Sequence, residues 1–218
     1  MGKSKAVISR GEDFQLRFAQ RKSFMSYHIY HTRGIIVGSQ PSGESNRFYK
    51  IFTEELGLVG ATAQSVRVGK SKLRYVLQDY GMVLVDLVRG KEVWRITSAI
   101  EEQPPVGIDR NENKEIFTHA CMLVSRLLHG EAPEKEIFID LHNLADFLRK
   151  EGGLKDLRTS VEALFALRTL VALGYVDSSG YGAFLKAGEY TKGLLTQFSQ
   201  ILPRAVELVN NALASSHL

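Results

Sequence analysis

The sequence is poor in the features that mark several protein classes. Its single cysteine, Cys121, cannot form an internal disulfide or a cysteine-rich zinc site, and the apolar residues around it predict a buried structural thiol. One cysteine in 218 residues also fits a reducing cytoplasm. The apolar runs are shorter than the ~20 residues that cross a bilayer, and residues 1–24 lack the apolar segment of a signal peptide. A cytoplasmic protein without membrane contact is therefore expected.

Catalytic motifs are also incomplete. Residues 69–71 read Gly-Lys-Ser, the end of a phosphate-binding loop, but the position of the first glycine holds Gln64. Residues 43–47 lack the second glycine of a serine hydrolase elbow. The six histidines are better interpreted as surface or interfacial side chains than as metal ligands. We therefore expect a protein that is not an enzyme and binds no cofactor.

The net charge of +4 is mild but unevenly distributed. Residues 1–24 carry six Lys or Arg against two Asp or Glu, residues 25–103 carry ten against eight, and residues 104–218 carry twelve against fourteen. A basic front half favours a polyanionic partner, although an ordinary charged surface would give the same totals. Residues 1–24 are interpreted as a flexible basic arm or as a tail without a role.

Five short segments in the front half have the composition of β-strands. They are rich in β-branched residues, and Gly, Pro and Ser turns separate them. The segments are residues 33–39, 48–53, 58–66, 82–88 and 93–97. This pattern predicts a small barrel or sandwich over residues 25–103, and its length suits an OB-type barrel.

The pattern becomes helical after Pro104-Pro105. Apolar residues at spacings of three and four predict a helix that ends at Gly130 and begins with Asn111 or Asn113 as its cap. Further helices are predicted over residues 134–150, 156–173 and 191–213, the last broken or kinked at Pro203. The chain is thus expected to be an α+β multidomain protein, with a five-stranded N-terminal barrel and an all-α helical domain over residues 104–218.

The most basic stretch of the chain lies between two predicted strands. Arg67, Lys70, Lys72 and Arg74 occupy eight residues without an acid, and Gly69 suggests a hairpin tip. Cations on such a tip can follow a sugar–phosphate backbone and release counterions from it. Neighbouring strands and turns add further positive charge: Arg47, Lys50, Arg89, Lys91 and Arg95. These nine residues are the predicted nucleic-acid site.

Aromatic residues are interleaved with these cations and can stack on bases where they are exposed. They are Tyr49, Tyr75, Tyr80 and Trp94. For Trp94, a place in the barrel core is the favoured interpretation.

Several segments of the front half resemble the bacterial recombination and repair family RecO. An apolar strand at residues 34–37 precedes a G-E-S-N-R turn at 43–47 and a T-x-E-x-G strand end at 53–57. The resemblance continues at Ser71-Lys72-Leu73-Arg74, Leu77-Gln78 and the turn and strand over residues 89–97. It implies an N-terminal OB-fold followed by a helical domain. It also implies binding of single- and double-stranded DNA, annealing of complementary strands and assistance in loading the recombinase RecA.

The resemblance further implies protein partners, namely RecR and the C-terminal tail of single-strand-binding protein. Relatives take this acidic tail in an apolar pocket with a basic rim, for which Arg126, Arg149 and Lys150 are candidates in this chain. Many relatives hold zinc with four cysteines, and this chain with Cys121 alone is expected to hold none.

Two other functions remain open from the residues themselves. The barrel of a protein-interaction module would present the same basic tip to an acidic peptide. An RNA-binding OB barrel would also have these features, because nothing in the sequence reads a 2′-hydroxyl.

Overall fold

The computed structural model describes residues 28–66, 71–108, 110–186 and 188–215. Within them, the front half forms five strands: β1 (Ile29–Ser42), β2 (Asn46–Thr53), β3 (Gly57–Ala63), β4 (Met82–Arg89) and β5 (Trp94–Gln103). They pair in the order β1-β2-β3-β5-β4, and β4 returns to β1, so the sheet closes into a barrel. Of the two architectures that the sequence left open, the barrel is correct.

Side chains alternate between the two faces of each strand, and one face fills the barrel. Tyr49 and Ile51 of β2 and Val59 and Ala61 of β3 point inward and are buried with Trp94 of β5. The residues between them point to the outer face. The barrel interior therefore contains mainly apolar groups.

The long strand β1 belongs to both sides of the barrel. Its first half pairs with β4 and its second half with β2. The register with β2 shifts between Ile36 and Gly38, and such an irregularity bends a strand. β1 therefore curves around the barrel and closes it.

The connection between β3 and β4 differs from the predicted hairpin. β3 pairs with β2 and, in parallel, with β5, whereas β4 pairs with β1 and β5, so β3 and β4 are not neighbours. The connection contains the four-residue helix α1 (Leu73–Val76). Leu73 and Val76, three residues apart, lie on one face of this helix and pack against the barrel core. The hairpin prediction is therefore wrong, and Arg67 and Lys70 lie outside the described residues, as do residues 1–24.

The back half is helical, as predicted. Its helices are α2 (Asn111–Leu127), α3 (Lys135–Lys150), α4 (Arg158–Ala172), α5 (Lys192–Ser199) and α6 (Leu202–Ser215). The segment predicted as the last helix forms two helices, α5 and α6, and the break falls just before Pro203. Pro203 lies in the first turn of α6, where its missing N–H costs little. Thr191 caps α5 by accepting a hydrogen bond from the Leu194 backbone N–H (3.1 Å). Within the described ranges, none of the helices has both the length and the apolarity of a membrane span.

The start of α2 is not capped by asparagine, so that prediction is wrong. Arg110 precedes the helix with an extended backbone and no side-chain cap. Asn113 is instead buried in the first turn, and its Nδ2 donates to the carbonyl oxygens of Leu148 (2.5 Å) and Glu151 (2.8 Å). These carbonyls lie at the end of α3, where helical partners run out. Asn113 therefore ties the start of α2 to the end of α3.

Asn113→Ala is expected to lower the free energy of unfolding by about 1–3 kcal/mol, because the buried carbonyl oxygen of Leu148 loses its donor. The Glu151 carbonyl still accepts a hydrogen bond from Arg110 Nη1 (2.7 Å) in the variant. The exposed Asn111, two residues earlier, provides the control, and its replacement by Ala should cost about 0.5 kcal/mol or less. Urea unfolding of both variants measures the difference. Equal midpoints would show that the bonds of Asn113 contribute nothing.

One hydrophobic core joins the barrel to the helices. Ile35, Phe52 and Met82 lie on the outer faces of their strands and are buried among helical residues. The rings of Phe52 and Phe138 of α3 meet edge to face with centroids 5.6 Å apart. This shared core places the helices against the side of the barrel that carries Ile35, Phe52 and Met82. The boundary between domains after Gln103 stays a prediction.

Candidate nucleic-acid interface

A cleft of about 770 Å³ lies between one end of the barrel and the start of α2. Three elements each place one cation in its lining: Arg47 of β2, Arg74 of α1 and Lys114 of α2. Among the described residues of the lining, the one acid is Asp79, which accepts a hydrogen bond from Ser39 Oγ (2.5 Å). The cleft therefore has an excess of positive charge.

Arg47 has a defined position in this cleft. It is half-buried at the start of β2, and its Nε donates to Ser39 Oγ (2.9 Å). A guanidinium carries five N–H donors in a planar fork, a geometry that suits phosphate oxygens. Arg47 is therefore held where it can bind an anion that enters the cleft.

Helix α1 carries two cations of the predicted basic stretch. Lys72 precedes the helix and Arg74 lies within it, and both are exposed. Arg74 and the neighbouring Tyr75, which is 66% exposed, line the cleft. The described part of the stretch therefore borders the cleft from a helix, while Arg67 and Lys70 lie outside the described residues.

Lys50 and Arg95 lie on the outer face of the barrel, and both are exposed. Lys50 of β2 pairs with Gly38 of β1 on one side and with Gly60 of β3 on the other. Arg95 of β5 pairs with Thr62 of β3. Lys50 and Arg95 thus form a second basic surface on the outer face of the strands. Arg47, near the start of β2, lines the cleft instead.

Arg89 is engaged with the helical half. It forms an ion pair with Glu131 of the α2–α3 loop, and its guanidinium lies 4.9 Å from the centroid of the Trp94 ring. Trp94 Nε1 also donates to Glu131 (3.0 Å). Lys91 lies in the exposed turn between β4 and β5. Arg89 therefore lies outside the lining of the cleft and holds the α2–α3 loop against the barrel.

The predicted aromatic residues have different environments. Trp94 is buried, as the sequence favoured, and Tyr49 is buried beside Arg47. Burial raises the pKa of the Tyr49 phenol, and the nearby Arg47 opposes that shift. Tyr80 is half-buried with its ring 6.2 Å from that of Phe117. Of these four tyrosine and tryptophan residues, Tyr75 is the exposed one.

Sequence reasoning missed three residues of these surfaces. Lys114 and Asn111 line the cleft from the acidic half of the chain, and no local pattern marks them. Phe48 lies on the outer face next to Lys50 in the alternation of β2. Its place follows from the inward position of Tyr49, so the strand pattern alone was enough to find it.

The candidate rim residues of the helical half also have different environments. Arg149 Nε donates to the carbonyl of Pro104 (3.0 Å), and its Nη1 lies 3.2 Å from Asp146. Burial lowers the pKa of the Arg149 guanidinium. Arg126 and Lys150 are exposed. Arg149 therefore serves the junction between the barrel and α3.

Cys121 lies in the helical core, which confirms the prediction of a buried thiol. Burial raises its pKa far above the usual range, so the thiol is protonated and unreactive. Among the residues that the structure describes, no group of three or more His, Cys, Asp or Glu side chains is placed to hold a metal ion. The absence of zinc stays a prediction.

The closed five-stranded barrel, with basic surfaces at one end and on its outer face, is of the OB class and precedes a helical bundle. Residues 25–102 match the family model described as Recombination protein O N terminal. The barrel part of the chain therefore matches the RecO family, which the motifs of the front half resemble.

Curated relatives support this assignment. The chain is 28% identical over 148 residues to the DNA repair protein RecO of Rubrobacter xylanophilus, an alignment that covers 67% of this chain and 58% of the relative. It is 39% identical over 72 residues to the DNA repair protein RecO of Dehalococcoides mccartyi strain 195, covering 33% and 28% of the two chains. For RecO of Clostridium novyi the identity is 26%, over 67% of this chain and 57% of the relative. The chain thus spans less than two thirds of the length of these relatives.

Proposed function

We propose that the chain is a non-enzymatic mediator of DNA repair and recombination that binds single- and double-stranded DNA with its barrel. The convergence of Arg47, Arg74 and Lys114 on one cleft is the observation that carries the proposal. They come from β2, α1 and α2, and only the fold brings them together. Similarity to relatives that are named DNA repair protein RecO supports the same function.

The outer face of the barrel extends this binding surface. In OB barrels, oligonucleotides lie across the strand 2–3 face between the β1–β2 and β4–β5 loops. Here that face carries Lys50 and Arg95, and Lys91 lies in the β4–β5 turn. Lys72, which precedes α1, stays in the proposed site, as do Arg67 and Lys70, which lie outside the described residues. Each phosphate that these cations neutralise releases counterions, so the binding depends on charge rather than on sequence.

Annealing and partner binding are proposed on the strength of the resemblance to the RecO family. Neutralised strands repel each other less, so two complementary strands can meet on the protein without a covalent step. The helical half would bind RecR and the acidic tail of single-strand-binding protein, and the complex would then help to load RecA. Arg126 and Lys150 are the exposed candidates for contact with the tail.

The test is a binding titration of a labelled single-stranded oligonucleotide at salt concentrations from about 50 to 200 mM, with matched DNA and RNA competitors. We expect the logarithm of the binding constant to fall linearly with the logarithm of salt concentration, and DNA to compete at least as well as RNA. Absence of binding at low salt would contradict the proposal. Stronger competition by RNA, or salt-sensitive binding of an acidic peptide without DNA binding, would favour the other two functions.

The contrast between Lys50 and Arg89 gives a prediction about the outer face. Lys50→Ala is expected to reduce the salt slope, the slope of log binding constant against log salt, by about 0.7 on a single strand. Arg89→Ala should leave the slope unchanged, because Glu131 already pairs with Arg89. Titrations of both variants measure the two slopes. A larger change for Arg89→Ala would place the DNA at the α2–α3 loop instead.

A further inference from the structure

The outer face of β2, β3 and β5 is an open surface centred on Phe48 and Lys50. Cross-strand pairing places Lys50 between Gly38 and Gly60 in one row. The next row places Phe48 between Gln40 and Thr62, and Thr62 pairs with Arg95. The residues of these rows are Gly38, Lys50, Gly60, Gln40, Phe48, Thr62 and Arg95. They combine two cations with one aromatic ring and include no carboxylate.

Phe48 does not serve the cores that its neighbours build. Tyr49 and Ile51 point into the barrel, and Phe52 packs against the helices. Phe48 is half-buried, and among the described residues it belongs to neither hydrophobic cluster nor to their partly buried periphery. A phenylalanine in this position keeps apolar surface in water without stabilising a core.

Gly60 allows the ring to lie on the sheet. A Cβ at Gly60 would lie 2.7 Å from Phe48 Cζ, closer than atoms of this kind approach one another, so any other residue would displace the ring. A Cβ at Gly38, on the other side of Lys50, would meet nothing within 4 Å. Glycine within a strand often marks a place where a ligand approaches the backbone closely. Gly60 therefore lets the ring lie against the strand, and Gly38 leaves the surface on the other side of Lys50 open.

We infer that Phe48 is a base-stacking residue that gives the barrel face a preference for single-stranded over duplex nucleic acid. A free base presents its π-face to an aromatic ring, whereas the bases of a duplex are covered by one another. Lys50 and Arg95, on either side, contact the phosphates of the same strand. This inference rests on the proposed binding function and adds to it the residue that selects the form of DNA.

The test compares wild type with Phe48→Leu and Phe48→Tyr for binding of a single strand and of a duplex of the same length. Leucine keeps an apolar side chain over Gly60 and removes the ring, so it tests stacking with little loss of packing. We expect Phe48→Leu to weaken single-strand binding about 5- to 150-fold. Duplex binding should change less than about twofold, and Phe48→Tyr should bind as wild type does.

The outcomes separate the two proposals. If wild type binds, and Phe48→Leu leaves the affinities for both forms unchanged or lowers both by the same factor, the stacking role is wrong while the proposed function stands. If wild type binds neither form, the proposed function fails.

A second measurement uses Phe48→Trp and the quenching of its fluorescence by oligothymidylate. The one native tryptophan, Trp94, is buried, so the wild-type signal serves as the background. We expect quenching of the added tryptophan by the single strand and little quenching by the duplex, because a stacked base lies against the indole. Absence of additional quenching during single-strand binding would overturn the inference.

Discussion

Arg168→Ala is expected to lower the free energy of unfolding by about 3–5 kcal/mol, the cost of leaving a buried charge without its partner. Arg168 of α4 and Asp140 of α3 are both buried, and Arg168 Nη1 donates to Asp140 Oδ1 (2.9 Å). Asp140 also accepts from the Gly188 backbone N–H (3.0 Å) and the Tyr190 hydroxyl (2.9 Å). Arg168 Nε further donates to the carbonyl of Phe184 (2.7 Å). Arg168 therefore holds both the buried carboxylate and the segment between α4 and α5.

Arg158→Ala is the matched control, because Arg158 lies on the same helix and also pairs with acids. Its partners Glu115 (2.6 Å) and Glu162 (3.2 Å) lie near the surface, and the Arg158 side chain is 34% exposed. Pairs of this kind near the surface contribute little to stability, so Arg158→Ala should cost much less than Arg168→Ala. Chemical unfolding of both variants measures the two costs. Equal losses would contradict the importance of the Arg168 network.

The loss in Arg168→Ala should also depend on pH. Burial raises the pKa of Asp140, and Arg168 opposes that shift. Without Arg168 the folded-state pKa lies higher still, so the folded variant binds a proton more tightly than the unfolded chain does. The contribution of such a group is present at low pH and is lost as pH rises. The deficit of the variant is therefore expected to shrink as pH falls into the range where Asp140 is protonated, and a constant deficit would contradict this.

Replacing Arg47, Arg74 and Lys114 together by Gln should weaken single-strand binding at low salt by about 100-fold or more, because three charge-assisted bonds to phosphate are lost. The salt slope should fall by about 2, since each phosphate contact on a single strand contributes about 0.7. Binding titrations over a salt series measure both quantities. The large effect is expected because the three cations surround one cleft.

A control variant removes the same charge elsewhere. Lys155, Lys186 and Lys192 are exposed on the helical half and do not line the cleft. Their replacement by Gln changes the net charge equally and should leave the salt slope within about 0.5 of the wild-type value. An equal loss of slope in both triple variants would show that net charge, rather than the cleft, controls binding.

Much of the fold was predictable because it follows from local periodicity. The alternation of residues 82–88 matches β4 (Met82–Arg89), and the predicted helix over residues 134–150 matches α3 (Lys135–Lys150). Each pattern reflects one buried face of one element, which the sequence encodes directly. The resemblance carried by the motifs around residues 43–57 and 89–97 further predicted an OB-type barrel followed by a helical domain.

Other features depend on contacts between distant residues. The basic stretch suggested a hairpin, but the parallel pairing of β3 with β5 excludes it, and nothing within the stretch encodes that pairing. Two contacts bring Lys114 to the cleft. The Val106 backbone N–H donates to the backbone carbonyl oxygen of Tyr80 (3.3 Å), and the ring of Phe117 meets the Tyr80 ring edge to face. These contacts bring the start of α2 to the end of the barrel. A charge pattern along the chain therefore identified the basic half but not the cations that meet.

A crystal structure of the chain with a short oligothymidylate tests the central claim most directly. We predict a strand whose phosphates contact Arg47, Arg74 and Lys114 in the cleft, with a base stacked on Phe48 beside Lys50. A strand bound to the helical half, away from both the cleft and the outer face of the barrel, would contradict the account.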